Sequence, residues 1–223
     1  GTEDLHVIAD LLPDGLVLPK VATADEVSGM DSLVADIEKI HQIAQGSISF
    51  VLIGTEVPGA VFNLASMSGI PRVDGVTWGA EDLSSALGAK AKRDSEGNYL
   101  EVFSFVRSTC LLAAVAGGAQ PIDAVYVDIK NLDGLAKECK TGADMGYTGK
   151  VTIHPSQLEI VNKAFTPSKE EIIEASELID AFSQNQKEGK MAFVFKGQMV
   201  DVPHLTRAKK ILAAAKLIKS EKT

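Results

Sequence analysis

Cysteine is scarce in this chain. Cys110 and Cys139 are the only two in 223 residues, and neither has a neighbour at the spacing of a metal ligand or a redox pair. That argues against a disulfide framework and a thiolate metal centre. Both thiols are expected to be reduced and structural, which suits a cytoplasmic or organelle-matrix protein. Positive charge is short as well, with 22 Lys and Arg against 30 Asp and Glu, a net charge of −8 and a pI near 5.0. A nucleic-acid or anionic-membrane surface needs a basic footprint, so neither is expected as a partner. A small anionic ligand held by a local basic cluster stays open. No apolar run is long enough to cross a bilayer; the strongest, residues 110–119, is short and glycine-containing. No signal-peptide pattern is visible, although the first residue is glycine and an upstream start stays open. Low-complexity segments, short repeats and an interdomain linker are also lacking.

What is present is a regular alternation of strand-like and helix-like segments. The 45% hydrophobic content is enough for one sizeable core in a chain of this length. Residues 14–20 read as a buried strand closed by Pro19, and Thr23-Ala-Asp-Glu26 as a capping box opening a helix to about Gln45. Further strands are expected at 47–54, 73–78, 122–129 and 149–154. Helices are expected at 59–67, 99–116, 132–145 and 169–184, the last capped by Ser168 with Glu170 and Glu171 in its first turn. A polar loop is expected around 90–98, and another between His154-Pro155 and the 169 helix. Residues 191–204 read as a hairpin and turn, and 205–218 as a final basic helix. Alternation of this kind implies a parallel sheet with helices outside it. Five β/α units are too few for a closed barrel of eight and sufficient for an open doubly wound sheet. No glycine-rich phosphate fingerprint follows the first strand, but pattern alone does not choose between the two.

Two acids stand just past strand ends: Glu56 in Ile53-Gly-Thr-Glu-Val-Pro, and Asp82 in Trp78-Gly-Ala-Glu-Asp-Leu. If the sheet is a barrel wall, both face the same end. Two carboxylates with open positions beside them suit Mg²⁺, which fills its octahedron with water and substrate oxygens. The plainer alternative is that each acid caps the helix that follows. Glu81 competes with Asp82 for the metal role. Asp201, ahead of a Val-Pro-His turn, reads from the residues alone as a helix cap. Lys20 at its strand end is placed to bind a phosphate or carboxylate, or to be structural. Arg107 inside an apolar helix is a candidate to pair with an acid. His154 is a candidate base, although the following proline favours an architectural role. Asp128 is similarly ambiguous, Trp78 reads as core, and His6 and His41 read as surface.

Whole phrases go further. Gly149-Lys-x-x-Ile-His-Pro-x-Gln157 followed by Asn162-x-x-Phe-x-Pro-Ser168 resembles the citrate lyase β-subunit-like branch of the HpcH/HpaI aldolase/citrate lyase superfamily, which contains malyl-CoA and citramalyl-CoA lyases. Thr55-Glu56 with Gly79-Ala-Glu-Asp-Leu83, and Gly197-x-Met-Val-Asp-x-Pro-His204, resemble further motifs of that family in the same order. The resemblance implies a TIM (β/α)8 barrel lacking roughly its first three strands in this chain. The barrel domain would cover 1–188, with a C-terminal lid and helix at 189–223. It implies a Mg²⁺ pair of Glu56 and Asp82. Asp201 would act as the catalytic acid/base in a neighbouring subunit's site, and the assembly would be a homotrimer or hexamer. With a coenzyme A ester as the ligand, Lys20 and Arg107 are the cofactor-binding candidates, beside a structural role for Lys20 and acid pairing for Arg107. The implied activity is cleavage of a 3-hydroxyacyl-CoA to a 2-oxo acid and an acyl-CoA. A malyl-CoA thioesterase, a citrate lyase β-subunit and a non-catalytic acyl-CoA-binding protein are the alternatives. Two departures stand out. Val57-Pro58 follows the glutamate where many relatives have threonine, and no segment matches the family's Arg-x-Asn strand, without which little activity is expected.

Overall fold

The first strands pair in the order in which the chain makes them. The computed structural model describes residues 2–9, 11, 13–187 and 189–220. After helix α1 (Thr2–Ala9) the chain runs β1 (Gly15–Leu18), α2 (Ala24–Ile40), β2 (Ser49–Ile53), a 3₁₀ turn (Pro58–Phe62), α3 (Leu64–Ser68), β3 (Val73–Thr77), α4 (Ala80–Leu87), α5 (Glu101–Gly117), β4 (Gln120–Asp123), α6 (Leu132–Met145) and β5 (Gly149–Lys150). These five strands form one sheet in the order β1-β2-β3-β4-β5, every pair parallel. A doubly wound sheet reverses its strand order at a switch point. The unbroken sequential order is instead that of a (β/α)8 barrel wall, here an open arc among the described residues.

Alternation along the strands separates two faces. Phe50, Leu52 and Val76 are fully buried, whereas Val17, one residue out of phase with Leu18, is 60% exposed. The covered face is matched by apolar positions at helical spacing, Val27, Val34 and Ile37 on α2 and Phe103, Val106 and Cys110 on α5. Helices α3 and α5 cross closely. A Cβ at Gly117 would stand 2.5 Å from the backbone and Cβ of Ser68, so only glycine fits there.

Several helix starts follow the expected chemistry. Glu26 N–H donates to Thr23 Oγ1, and Glu26 returns a carboxylate oxygen to Ala22 N–H. Ser168 and Glu171 form a reciprocal capping box. Helix α6 has the bounds expected of it.

Several expectations need correction. The fourth strand ends at Asp123 rather than 129, where the next N–H, that of Ala124, bonds the Asp123 side chain and not a neighbouring strand. The fifth ends at Lys150, because the Ile153 N–H bonds the Gln157 side chain rather than a neighbouring strand. Residues 158–165, read as loop, form α7 (Leu158–Phe165); the i, i+3, i+7 spacing of Leu158, Val161 and Phe165 carried that signal. Helices α1 and α4 were not anticipated.

Residues 1–161 and 162–223 make two compact units. In the second, α8 (Lys169–Lys187), the hairpin β6 (Phe193–Phe195) and β7 (Gln198–Val200), and α9 (Val202–Ser220) enclose a core of Ala175, Leu178, Phe182, Val200, Leu205 and Ala208. Lys196 and Gly197, both at positive φ (48° and 82°), make the two-residue hairpin turn.

Candidate metal and substrate site

Three adjacent strand ends deliver three charged side chains to one place. β1 ends in Leu-Pro-Lys, and Lys20 takes a left-handed backbone (φ 57°), uncommon for a side chain of this kind. Its N–H donates to Glu56 Oε2 at 2.7 Å, and its Nζ lies 3.3 Å from Asp82 Oδ1. Glu56 follows β2, and Asp82 lies in the first turn of α4 after β3. The two ends are tied by Thr55, whose buried hydroxyl accepts the Gly79 N–H at 2.9 Å. Neither acid serves as a helix cap. Val57 and Gly79 occupy the N-cap positions, without side-chain cap bonds. Glu81, the rival of Asp82, is paired with Lys92.

Burial raises the Glu56 carboxyl above its ordinary value, and the Asp82 carboxylate adds to this while the Lys20 N–H opposes it. Two acids crowded in this way favour a cation between them. Among the described residues no group of three His, Cys, Asp or Glu gathers to form a closed cage. A pair of hard oxygen donors with open positions fits Mg²⁺ and not a structural zinc centre.

Behind the site lies a buried ionic network that the sequence reading did not assemble. Asp123, fully buried at the end of β4, accepts from Trp78 Nε1 (2.8 Å), Arg107 Nε and Nη2 (3.1 and 2.7 Å), Lys150 Nζ (3.1 Å) and the Ala124 N–H (3.0 Å). Burial pushes its carboxyl up, but Lys150 and Arg107 outweigh that and hold it below the usual carboxylate range. Lys150 also reaches Glu138 at 2.8 Å, and Glu138 takes Arg93 Nη2 at 2.6 Å. Arg107 therefore occupies the acid-pairing one of its two expected roles. Trp78 is core, as expected, and its indole N–H fastens the end of β3 to β4. An acid closing an apolar strand and a lysine opening the next were the available signals.

His154 accepts the Ser156 N–H at 3.2 Å and caps the short turn at Pro155–Gln157, an architectural role. Asp128 accepts the Lys130 N–H in an exposed loop. His6 and His41, read as surface residues, are half-buried, with ring centroids 5.5 Å apart and His6 Nδ1 3.2 Å from His41 Nε2.

In the C-terminal unit Asp201 precedes α9, and its carbonyl accepts from His204 N–H at 3.0 Å and Leu205 N–H at 3.3 Å. Its carboxylate is left to His204 Nδ1, at 2.6 Å. The Asp-x-x-His spacing was visible in the sequence, but His204 was not singled out.

A family model described as HpcH/HpaI aldolase/citrate lyase matches residues 1–155. The mitochondrial citramalyl-CoA lyase of Rattus norvegicus is 35% identical over 225 residues, covering 96% of this chain and 64% of the rat protein. A (3S)-malyl-CoA thioesterase of Cereibacter sphaeroides is 34% identical over 220 residues, covering 98% of this chain and 70% of the thioesterase. The crystal structure of CitE from Mycobacterium tuberculosis in complex with magnesium, acetoacetate and coenzyme A superposes with a TM-score of 0.71 at 34% identity, covering 91% of this chain and 68% of that one. A citrate lyase from Burkholderia xenovorans LB400 superposes with a TM-score of 0.84 at 22% identity, covering 98% and 69%, a likeness of fold. The chain thus spans a little under two thirds of the rat lyase. With the family model covering more than half of the chain and the rat lyase matching almost all of it, the chain belongs to the HpcH/HpaI aldolase/citrate lyase family.

Proposed function

We propose that this protein is a Mg²⁺-dependent carbon–carbon lyase that cleaves a 3-hydroxyacyl-CoA of the malyl-CoA, methylmalyl-CoA or citramalyl-CoA type to a 2-oxo acid and an acyl-CoA. The observation that carries the reading is the convergence of Glu56, Asp82 and Lys20 at three neighbouring strand ends. It is supported by the relatives, which include a citramalyl-CoA lyase and a CitE structure with magnesium and coenzyme A.

Glu56 and Asp82 are the metal ligands in this reading. A Mg²⁺ bound by them would supply Lewis acidity to the oxygen that becomes the product carbonyl. Lys20 offers an ammonium for the carboxylate of the oxo-acid half. The substrate hydroxyl gives up its proton to water as the carbon–carbon bond breaks in the retro-Claisen sense and its oxygen becomes the product carbonyl. Asp201 delivers a proton to the acyl-CoA enolate carbon, or removes it in the condensing direction. Residues 189–223 act as a lid that brings Asp201 into a neighbouring subunit's site, which requires a homotrimer or hexamer. Water kept from the enolate is the purpose of such a lid. Arg107 serves the barrel wall and not the coenzyme, since Asp123 engages both its Nε and its Nη2. A cytoplasmic or matrix setting fits the two buried free thiols.

The thioesterase is the second reading, because those relatives are as similar along as much of the chain. The two differ in products. The full natural protein is supplied with Mg²⁺ and either malyl-CoA or citramalyl-CoA, and 2-oxo acid and free thiol are followed separately. Oxo acid without thiol is the lyase result. Thiol without oxo acid transfers the protein to the hydrolases. Choice between the two substrates rests on one methyl group, worth only about 1–3 kcal/mol to a pocket.

A further inference from the structure

Among the described residues, Lys20 is the one cation that touches both members of the carboxylate pair, and it does so in two ways. Its backbone N–H is fixed on Glu56 Oε2 at 2.7 Å, while its ammonium reaches across to Asp82 Oδ1 at 3.3 Å. The first contact belongs to the backbone and survives any movement of the side chain. The second belongs to a flexible stem, and both partners are accessible to water, with side chains 66% and 48% exposed. An exposed pair of this kind is held weakly and exchanges readily. The left-handed backbone at Lys20 (φ 57°) aims the stem across the mouth of β2 toward α4.

We propose that the Lys20 ammonium is a built-in counter-ion for the carboxylate pair: it rests on Asp82 when no divalent cation is bound, is displaced by the cation, and is thereby released to meet the anionic substrate. The inference rests on the reading of Glu56 and Asp82 as the metal pair, and goes beyond it by giving Lys20 two positions. Three consequences follow from the charges alone. A resident monovalent ammonium keeps two adjacent carboxylates from repelling each other in the empty site. It competes with the metal, so its removal tightens metal binding. Once displaced, it has a free positive charge beside the metal, and a 2-oxo acid carboxylate is the ligand that satisfies both. Metal and oxo acid then bind with positive coupling that depends on Lys20.

The test is calorimetric titration of Mg²⁺ into the full natural protein and into Lys20→Met, Lys20→Arg and Lys92→Met, followed by titration of pyruvate into each Mg²⁺-saturated protein. Circular dichroism and thermal midpoints confirm that each variant is folded. Lys20→Met keeps the backbone N–H on Glu56 and is expected to bind Mg²⁺ about two- to fivefold more tightly, the range of an exposed ion pair. Its pyruvate affinity in the loaded state is expected to fall. Lys20→Arg is expected to stay near the wild type in Mg²⁺ affinity, because it keeps the competing charge. Lys92→Met removes an equal charge from Glu81, next door to Asp82, and is expected to leave Mg²⁺ affinity unchanged. Mg²⁺ binding by Lys20→Met but not by the wild type also supports the proposal. Equal or weaker Mg²⁺ binding by Lys20→Met, or an equal gain in Lys92→Met, overturns it while leaving the metal pair intact. Binding by neither wild type nor variant removes the metal pair itself, and the counter-ion role with it.

Discussion

Gly79 packs directly on Glu56: a Cβ at position 79 would stand 2.8 Å from the Glu56 Cγ. A side chain on the residue after Trp78 would collide with the glutamate where it now lies at the mouth of the sheet. Gly79→Ala is therefore expected to push Glu56 off Asp82 at a cost of about 1–3 kcal/mol in stability. Mg²⁺ affinity is expected to fall by about 10–100-fold, the usual effect of disturbing a ligand's support. Calorimetry against the wild type checks this. Unchanged affinity in a folded Gly79→Ala protein would mean that Glu56 is not a ligand.

Part of the acid stability should come from a carboxylate away from the site, Glu38. This fully buried carboxylate accepts from Arg72 Nη1 and Nη2 at 2.6 and 3.1 Å, and from the N–H groups of Gly46 and Ile48 at 2.8 and 3.0 Å. Burial works to raise its pKa, but Arg72 and the two backbone donors outweigh it and bring the group from 4.5 down to about 2. A lowered carboxylate pKa stabilises the fold fully above the unfolded value and loses that contribution as pH falls through 4.5 toward 2. Glu38→Gln is expected to lower the thermal midpoint at pH 7 and to flatten its decline between pH 5 and pH 3. Arg72→Met leaves the charge buried without its fork, and a loss of about 3–5 kcal/mol is expected in denaturant unfolding.

These residues show what the sequence made legible. The winding was readable because β1, β2 and β3 lie in short apolar runs and helices such as α2, α6 and α8 have a cap or a periodic face. Helix α6, the Ser168–Glu171 capping box and the β6–β7 hairpin all stand where local chemistry put them. Glu56, Asp82 and Lys20 were readable as candidates because each sits at a strand end, and strand ends converge in this architecture. What bound them together was not readable. Gly79 against Glu56, Thr55 holding Gly79, and Trp78 fastened to Asp123 are contacts between strand ends separated by 23 to 45 residues. No local pattern encodes them. The same holds for Arg107, whose two roles were separated only once Asp123, 16 residues away, was seen to face it.

Asp201 offers a test of assembly. Its carboxylate, bonded to His204 at 2.6 Å, is 45% exposed, which the role proposed for it in another subunit's site requires. Asp201→Asn and Asp82→Ala homo-oligomers are each expected to be nearly inactive. Dissociated and reassembled together, they are expected to recover activity, because some sites then combine an intact metal pair with an intact lid. No recovery in verified mixed oligomers would place Asp201 in its own subunit's site or outside catalysis.

The central claim is that Glu56 and Asp82 carry a metal-dependent carbon–carbon cleavage. The most direct measurement is 2-oxo acid release from citramalyl-CoA and malyl-CoA by the full natural protein, before and after chelation, beside Asp82→Ala. The account predicts release that chelation abolishes, that added Mg²⁺ restores, and that Asp82→Ala reduces by about 100-fold or more. Release that survives both chelation and Asp82→Ala would contradict it.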